Sequence, residues 1–280
     1  MDELDSYINK VKKLPPMPPM VPQLMTLLND PDVDSEKVVK LITYDPSLTA
    51  NVLQACNSAL FSGSAPADDV GEAIMRIGFQ QVYRMVVLVS SSRMLKPSQT
   101  GYGIDEGELW KHSVATAVAA QTLAKELGDN ESTAFTAALL HDIGKIILSQ
   151  ALEHIYKKLV EETEAQQAAL VETEKRLLGV THAEVGGRLL TRWKFPPNLV
   201  TAVTFHHEPG SAPEHQRVAA CVYLGNLIAY SLGHGYGHLA FAQRGRADAL
   251  DLLGVNGDDI PRLMIRAQEN FAAVQSLLQL

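Results

Sequence analysis

The sequence predicts an all-α protein built as two helical lobes, and three observations carry that prediction. Sustained period-two alternation with turn punctuation is almost absent. Apolar residues recur at helical spacing along the whole chain, and capping residues stand before many of the apolar runs. A chain of 280 residues can bury a real core in one large domain or two smaller ones.

Residues 15–22, "PPMPPMVP", are too rich in proline for a helix and read as an extended entry to a helix over 22–29. A partner-binding polyproline segment is the alternative reading of the same stretch. "DPDVDSEKVVKLI" offers Asp and Ser caps before two apolar turns. Asp45-Pro46 then pairs a cap with a first-turn proline, and Leu48, Val52, Cys56 and Leu60 follow as a stripe at intervals of four. "VGEAIMRIGFQQVYRMVVLVSSSRML" predicts a short helix, a break near Gly78 and a strongly apolar helix. Pro, Ser and Gly cluster in "KPSQTGYGI", which makes 96–104 the candidate linker between a lobe at 1–95 and a larger one at 105–280. Helices are expected there over about 105–127, 131–150, 152–178, 181–193, 197–207, 215–232 and 257–279.

Composition narrows the function. Hydrophobic residues make up 46% of the chain, charged residues 20%, and the mean hydropathy is −0.01, as for a soluble globular protein. No apolar run approaches the roughly 18 residues of a membrane span. The acidic, mixed start "MDELDSYINKVKK" has no export signal, so a cytoplasmic location is expected. Cys56 and Cys221 sit among apolar neighbours and read as reduced core thiols. A net charge of −8 argues against direct nucleic-acid binding, which needs a basic face. A phosphate or nucleotide ligand would need local positive charge, which metal ions could supply.

Five of the nine histidines carry the functional signal. Glu108 and His112 lie four apart, one turn along a helix face. His141 and Asp142 interrupt the apolar run "AALLHDIGKI", with Lys145 one turn beyond. His182 follows the cap Thr181, and His206-His207 close a helix before Pro209. Singly, each has an ordinary explanation: a surface pair, a core histidine, or a complement to a helix dipole. Together they offer imidazole and carboxylate groups suited to zinc, iron, manganese or nickel. His154, His215, His234 and His238 lack such companions, and "GHGYGH" at 233–238 reads as a loosened loop.

The order His112, His141-Asp142 with Lys145, His182, His206-His207 resembles the HD superfamily of metal-dependent phosphohydrolases, and within it the HD-GYP branch. "LPPMPPMVPQLMTLLNDPDVDSEKVVKLITYDPSLTANVLQACNSALF" with "EAIMRIGFQQV" resembles the HD-related output domain (HDOD), a bacterial signalling branch. The likeness runs from about residue 14 to about 250. It implies an HD-like helical bundle in the second lobe and a centre made by Glu108, His112, His141, Asp142, His182, His206 and His207, converging on one or two divalent ions (Fe, Mn, Zn or Ni) that purification can strip. It implies that Lys145, and Asp142 with it, would be catalytic if the site is active. It also implies signalling partners such as a receiver domain or a histidine kinase pathway.

Two departures from HD-GYP matter. The double histidine continues as "HHEPGSAPEHQRV", without the Gly-Tyr-Pro segment, and the last expected Asp is Asn226, a weaker, neutral ligand. The favoured reading is therefore a signalling output module with an HD-type metal site and no phosphodiesterase turnover. An active phosphohydrolase on cyclic-di-GMP or another phosphoester is the alternative, and a purely structural domain with an empty site is the third.

Overall fold

Helices supply the regular structure, as the spacing predicts. The computed structural model describes residues 3–11, 17–28, 35–57, 66–151, 156–236 and 247–278. The first six helices are α1 (Glu3–Lys10), α2 (Met20–Leu28), α3 (Ser35–Thr43), α4 (Pro46–Cys56), α5 (Val70–Ile77) and α6 (Phe79–Leu95). Among the described residues there is no strand, only an isolated antiparallel bridge between Gln99 and Ile104.

The local signals act where they stand. Asp45 Oδ1 accepts from Leu48 N at 3.1 Å, capping α4, and Leu48, Val52 and Cys56 are buried. Leu60 lies outside the described residues. Asn57 bridges both backbone groups of Ala67 (2.7 and 3.0 Å), a structural role. Gly78 breaks the chain between α5 and α6 at φ +83°, a conformation other residues rarely adopt. The entry segment needs one correction. α2 begins at Met20 and takes Pro22 into its first turn, where a missing N–H costs nothing; residues 12–16 are outside the description.

α6 ties the N-terminal helices to the rest. Tyr83 Oη lies 3.1 Å from Thr136 Oγ1, Arg84 pairs with Glu131 at 2.9 Å, and buried side chains from both halves form one continuous core. Residues 96–104 join α6 to the next helix and are packed down, with the Gly101 N–H donating to Ser149 Oγ at 3.0 Å and Tyr102 buried.

The second half comprises α7 (Glu108–Leu127), α8 (Glu131–Leu140), α9 (Ile143–Ala151), α10 (Tyr156–Gln166), α11 (Leu170–Leu178), α12 (His182–Arg192), α13 (Pro197–Thr204), α14 (Gln216–Ser231), α15 (Ala247–Leu253) and α16 (Ile260–Leu278). Three expected helices differ. The one expected over 131–150 is two, broken at His141-Asp142. The one over 152–178 breaks near Gln167, which has φ +48°. α13 ends at Thr204, so His206 and His207 lie in the following turn. α15 was not expected.

The break at 141–142 has a packing cause. α9 approaches α12 so closely that a Cβ on Gly144 would lie 1.9 Å from the His182 carbonyl oxygen. A Cβ on Gly187 would lie 1.9 Å from the Thr204 side-chain Oγ1, so the end of α13 also packs against a glycine of α12. An uninterrupted helix through 131–150 would point α9 along α8; turning at His141 lays it against α12 instead.

Gly144→Ala should therefore lower stability by about 1–3 kcal/mol, the usual cost of overpacking. It should also push His182 away from Asp142. Chemical denaturation and metal uptake check this, and a variant as stable as the parent would show that the contact is not tight.

Candidate metal centre

Asp142 sits in the two-residue turn between α8 and α9, and four imidazoles approach its carboxylate. His112 Nε2 and His141 Nε2 lie 3.8 and 3.3 Å from Oδ2; His182 Nε2 and His206 Nε2 lie 3.1 and 3.9 Å from Oδ1. His207 Nε2 is 3.0 Å from His182 Nε2. His112, His141, Asp142, His182 and His206 are buried, and His207 partly so.

The outer face of each ring decides what the inner face offers. Nδ1 of His112, His141 and His206 lies 2.9, 2.6 and 2.8 Å from the carbonyl oxygens of His234, Ala138 and Val203. A carbonyl only accepts, so each Nδ1 carries the proton. In the neutral ring Nε2 is then a bare lone pair. Burial, with the neighbouring imidazoles, pushes His112 down to about 3 and His206 well below its ordinary value, so both rings are neutral at physiological pH. Burial, with His206 and His182, lowers His207 in the same way.

The Nε2 atoms of His112, His141 and His206, and Asp142 Oδ1, have no hydrogen-bond partner among the described residues. Buried lone pairs aimed at one carboxylate repel each other unless a cation lies between them. The donor atoms fall into two groups that could each hold an ion: His112, His141 and Asp142, and His182, His206 and His207. Imidazole and carboxylate donors suit a divalent transition metal.

Two other expected ligands stand differently. Glu108 belongs to neither group. As the first residue of α7, its Oε2 accepts from Asp105 N at 2.9 Å, where the free N–H groups and the positive end of the helix favour a carboxylate. Asn226 is buried on α14, its Oδ1 without a partner, one turn before Tyr230, whose ring lies 4.7 Å from that of His112.

Lys145 is buried, and its Nζ donates to Asp142 Oδ2 at 2.8 Å. Burial opposes its charge, but Asp142 outweighs that and raises it overall. Burial likewise opposes ionisation of Asp142, yet His141 and Lys145 hold the carboxyl well below the usual range.

Three contributors escape the sequence reading. Glu174 of α11 is buried against His182, accepting from its backbone N at 2.8 Å and from Nδ1 at 2.7 Å, and takes the Tyr102 hydroxyl at 2.8 Å. It is eight residues before His182 but on another helix, so no periodicity links them. Tyr236 and the His234 carbonyl come from the "GHGYGH" stretch set aside as a loop. That expectation is corrected: Tyr236 is buried, hydrogen-bonded to Asp142 Oδ2 and Lys145 Nζ, and its ring meets His112 edge-on. His215 lies beside Glu214 away from the centre, and His154 and His238 are outside the described residues.

The HDOD domain profile matches residues 14–209, about 70% of the chain. The chain belongs to the HDOD domain family. In fold it is similar to an HDOD domain protein of unknown function from Geobacter sulfurreducens (TM-score 0.78, 23% identity, 98% of this chain and 97% of that one). It is also similar to a candidate signal transduction protein from Marinobacter aquaeolei (TM-score 0.76, 22% identity, 100% and 65%). At these identities the likeness establishes the fold. In sequence it is 31% identical over 151 residues to ribonuclease Y of Petrotoga mobilis, covering 53% of this chain and 23% of that enzyme. The chain spans well under half the length of the curated relatives it matches, 38% for an uncharacterised Treponema pallidum protein.

The Glu174–His182 pair sets a pH dependence for this HDOD centre. Burial opposes a charge on His182, but Glu174 raises its pKa above the ordinary 6.5. An ion taken at Nε2 must displace that proton, so affinity should weaken as pH falls through the raised value. Glu174→Gln should move the decline to lower pH and cut affinity by roughly 10–100-fold. Calorimetric titrations in two buffers of different ionisation enthalpy would count the proton released, and an unchanged profile in the variant would refute the coupling.

Proposed function

We propose that this HDOD chain is a bacterial, cytoplasmic signal-transduction output module whose centre binds a divalent transition metal (Fe, Mn, Zn or Ni) without turning over phosphodiesters. The observation that carries it is the set of outward-bonded Nδ1 atoms of His112, His141 and His206, which leaves buried Nε2 lone pairs facing both oxygens of Asp142. His112, His141, Asp142, His182, His206 and His207 would hold metal, with Asn226 a weak further ligand. In an active relative such ions would supply Lewis-acid charge stabilisation and activate water.

The lack of turnover is supported from three sides. Glu108 is spent on the start of α7, Asn226 replaces a carboxylate, and no Gly-Tyr-Pro segment follows His207. Residues 1–95 are assigned the partner surface for a receiver domain or kinase pathway. Two of the three exposed large hydrophobic side chains among the described residues, Tyr44 and Met75, lie there. No described helix is long and apolar enough to cross a membrane.

A second reading, a metal-dependent phosphohydrolase with Lys145 and Asp142 as catalytic groups, has one specific support. Lys145 is a buried ammonium 2.8 Å from the metal-facing carboxylate, a charge of the sign a phosphate requires. Reconstitution with iron, manganese, zinc or nickel separates the two readings. The expected result is bound metal, lost in His141→Ala with His207→Ala, and no hydrolysis of cyclic-di-GMP or simple phosphodiesters. Robust turnover by the unmodified protein, abolished by His141→Ala, would establish the second.

A further inference from the structure

The two oxygens of Asp142 are not equivalent. Oδ2 accepts from Lys145 Nζ at 2.8 Å and also from the Tyr236 hydroxyl, while Oδ1 accepts no such pair of donors among the described residues and has only His182 Nε2 nearby, at 3.1 Å. A carboxylate oxygen has about two lone pairs, so both pairs on Oδ2 are in use. On that side stand His112 and His141; on the free Oδ1 side stand His182 and His206, with His207 adjoining. An ion on the Oδ1 side finds an oxygen lone pair open and has only the His182 Nε2 proton to displace. An ion between His112 and His141 must first displace a donor from Oδ2.

Tyr236 is fixed where it is. Its ring meets His112 edge-on at 4.8 Å and lies under the Lys145 ammonium at 4.9 Å. Two residues earlier, the His234 carbonyl accepts from His112 Nδ1 at 2.9 Å. The His234 ring packs on Phe271 of α16 at 4.2 Å and lies 3.3 Å from Gln268 Oε1. The short segment 234–236 thus links the first ion position to the C-terminal helix.

We propose that the Tyr236 hydroxyl closes the ion position formed by His112, His141 and Asp142 Oδ2, so that the resting protein holds a single ion on the His182–His206–His207 side and gains a second when Tyr236 withdraws. This rests on the metal-binding reading above and goes beyond it in assigning number, position and control.

Tyr236→Phe tests it, because the ring packing stays and only the hydroxyl goes, leaving Lys145 as the one remaining donor to Oδ2. Metal-stripped full-length protein is titrated with Zn(II), and bound metal is measured by elemental analysis after gel filtration. The same proteins loaded with Mn(II) are read by electron paramagnetic resonance. The unmodified chain is expected to bind one ion and give the six-line signal of isolated manganese. Tyr236→Phe is expected to bind two and give an exchange-coupled signal, with affinity for the second ion rising about ten-fold or more, the effect of one charged hydrogen bond removed. Adding His141→Ala to Tyr236→Phe should return the count to one, and thermal melting confirms that each variant is folded. Two ions in the unmodified protein, or one in both proteins, would overturn this inference while leaving metal binding intact. No ion in either would overturn the metal-binding reading itself.

Discussion

The centre in the second half of this protein is arranged around one carboxylate held in a turn between two buried helices. Asp142 is 1% exposed, and an isolated ionised carboxyl at that depth would cost several kcal/mol. Lys145, one turn on, offsets that cost locally. The rest of the compensation comes from elements distant in sequence: the Tyr236 hydroxyl donates to Oδ2, and His182 of α12 stands 3.1 Å from Oδ1. The close approaches at Gly144, to the His182 backbone, and at Gly187, to the Thr204 side chain, set those distances. A side chain at either position would spread the helices and separate the donors.

The centre is also a lesson in what sequence can carry. His112, His141, Asp142, His182, His206 and His207 announce themselves because polar groups interrupt apolar periodicity or stand beside helix caps. Thr181 caps α12 through Glu184 N at 3.1 Å, a local event that sequence encodes directly. The turn at His141-Asp142 was illegible for the opposite reason. The apolar pattern runs through it unbroken, and only the missing Cβ of Gly144, meeting a backbone 38 residues away, explains the change of direction.

Glu174 and Tyr236 were hidden by a different physics. Each acts across a helix boundary or from an irregular segment, where neither a period of 3.6 nor a cap rule applies. A glycine-rich stretch such as "GHGYGH" advertises backbone freedom, and that freedom is what lets Tyr236 reach Asp142 at all. Glu108 is the converse case. Its spacing from His112 is right for a shared helix face, but at the first position of α7 the unpaired backbone N–H groups compete for its carboxylate.

Charge balance links these details. Asp142 is matched by Lys145, and Glu174 by a His182 whose affinity for a proton it raises. Two buried pairs of opposite sign leave the carboxylates of the interior close to neutralised. A centre that also directed Glu108 inward and carried Asp in place of Asn226 would hold two further negative charges, and neutralising them would draw in a second dication. Withdrawing one carboxylate to a helix end and replacing the other with an amide removes that pull. On the reading proposed above, the same features that weaken the case for hydrolysis also favour a single ion, whose arrival would release the proton from His182. On that reading the centre would report on metal more readily than turn over a substrate, and the contacts from His112 through His234 to Phe271 join it to α16.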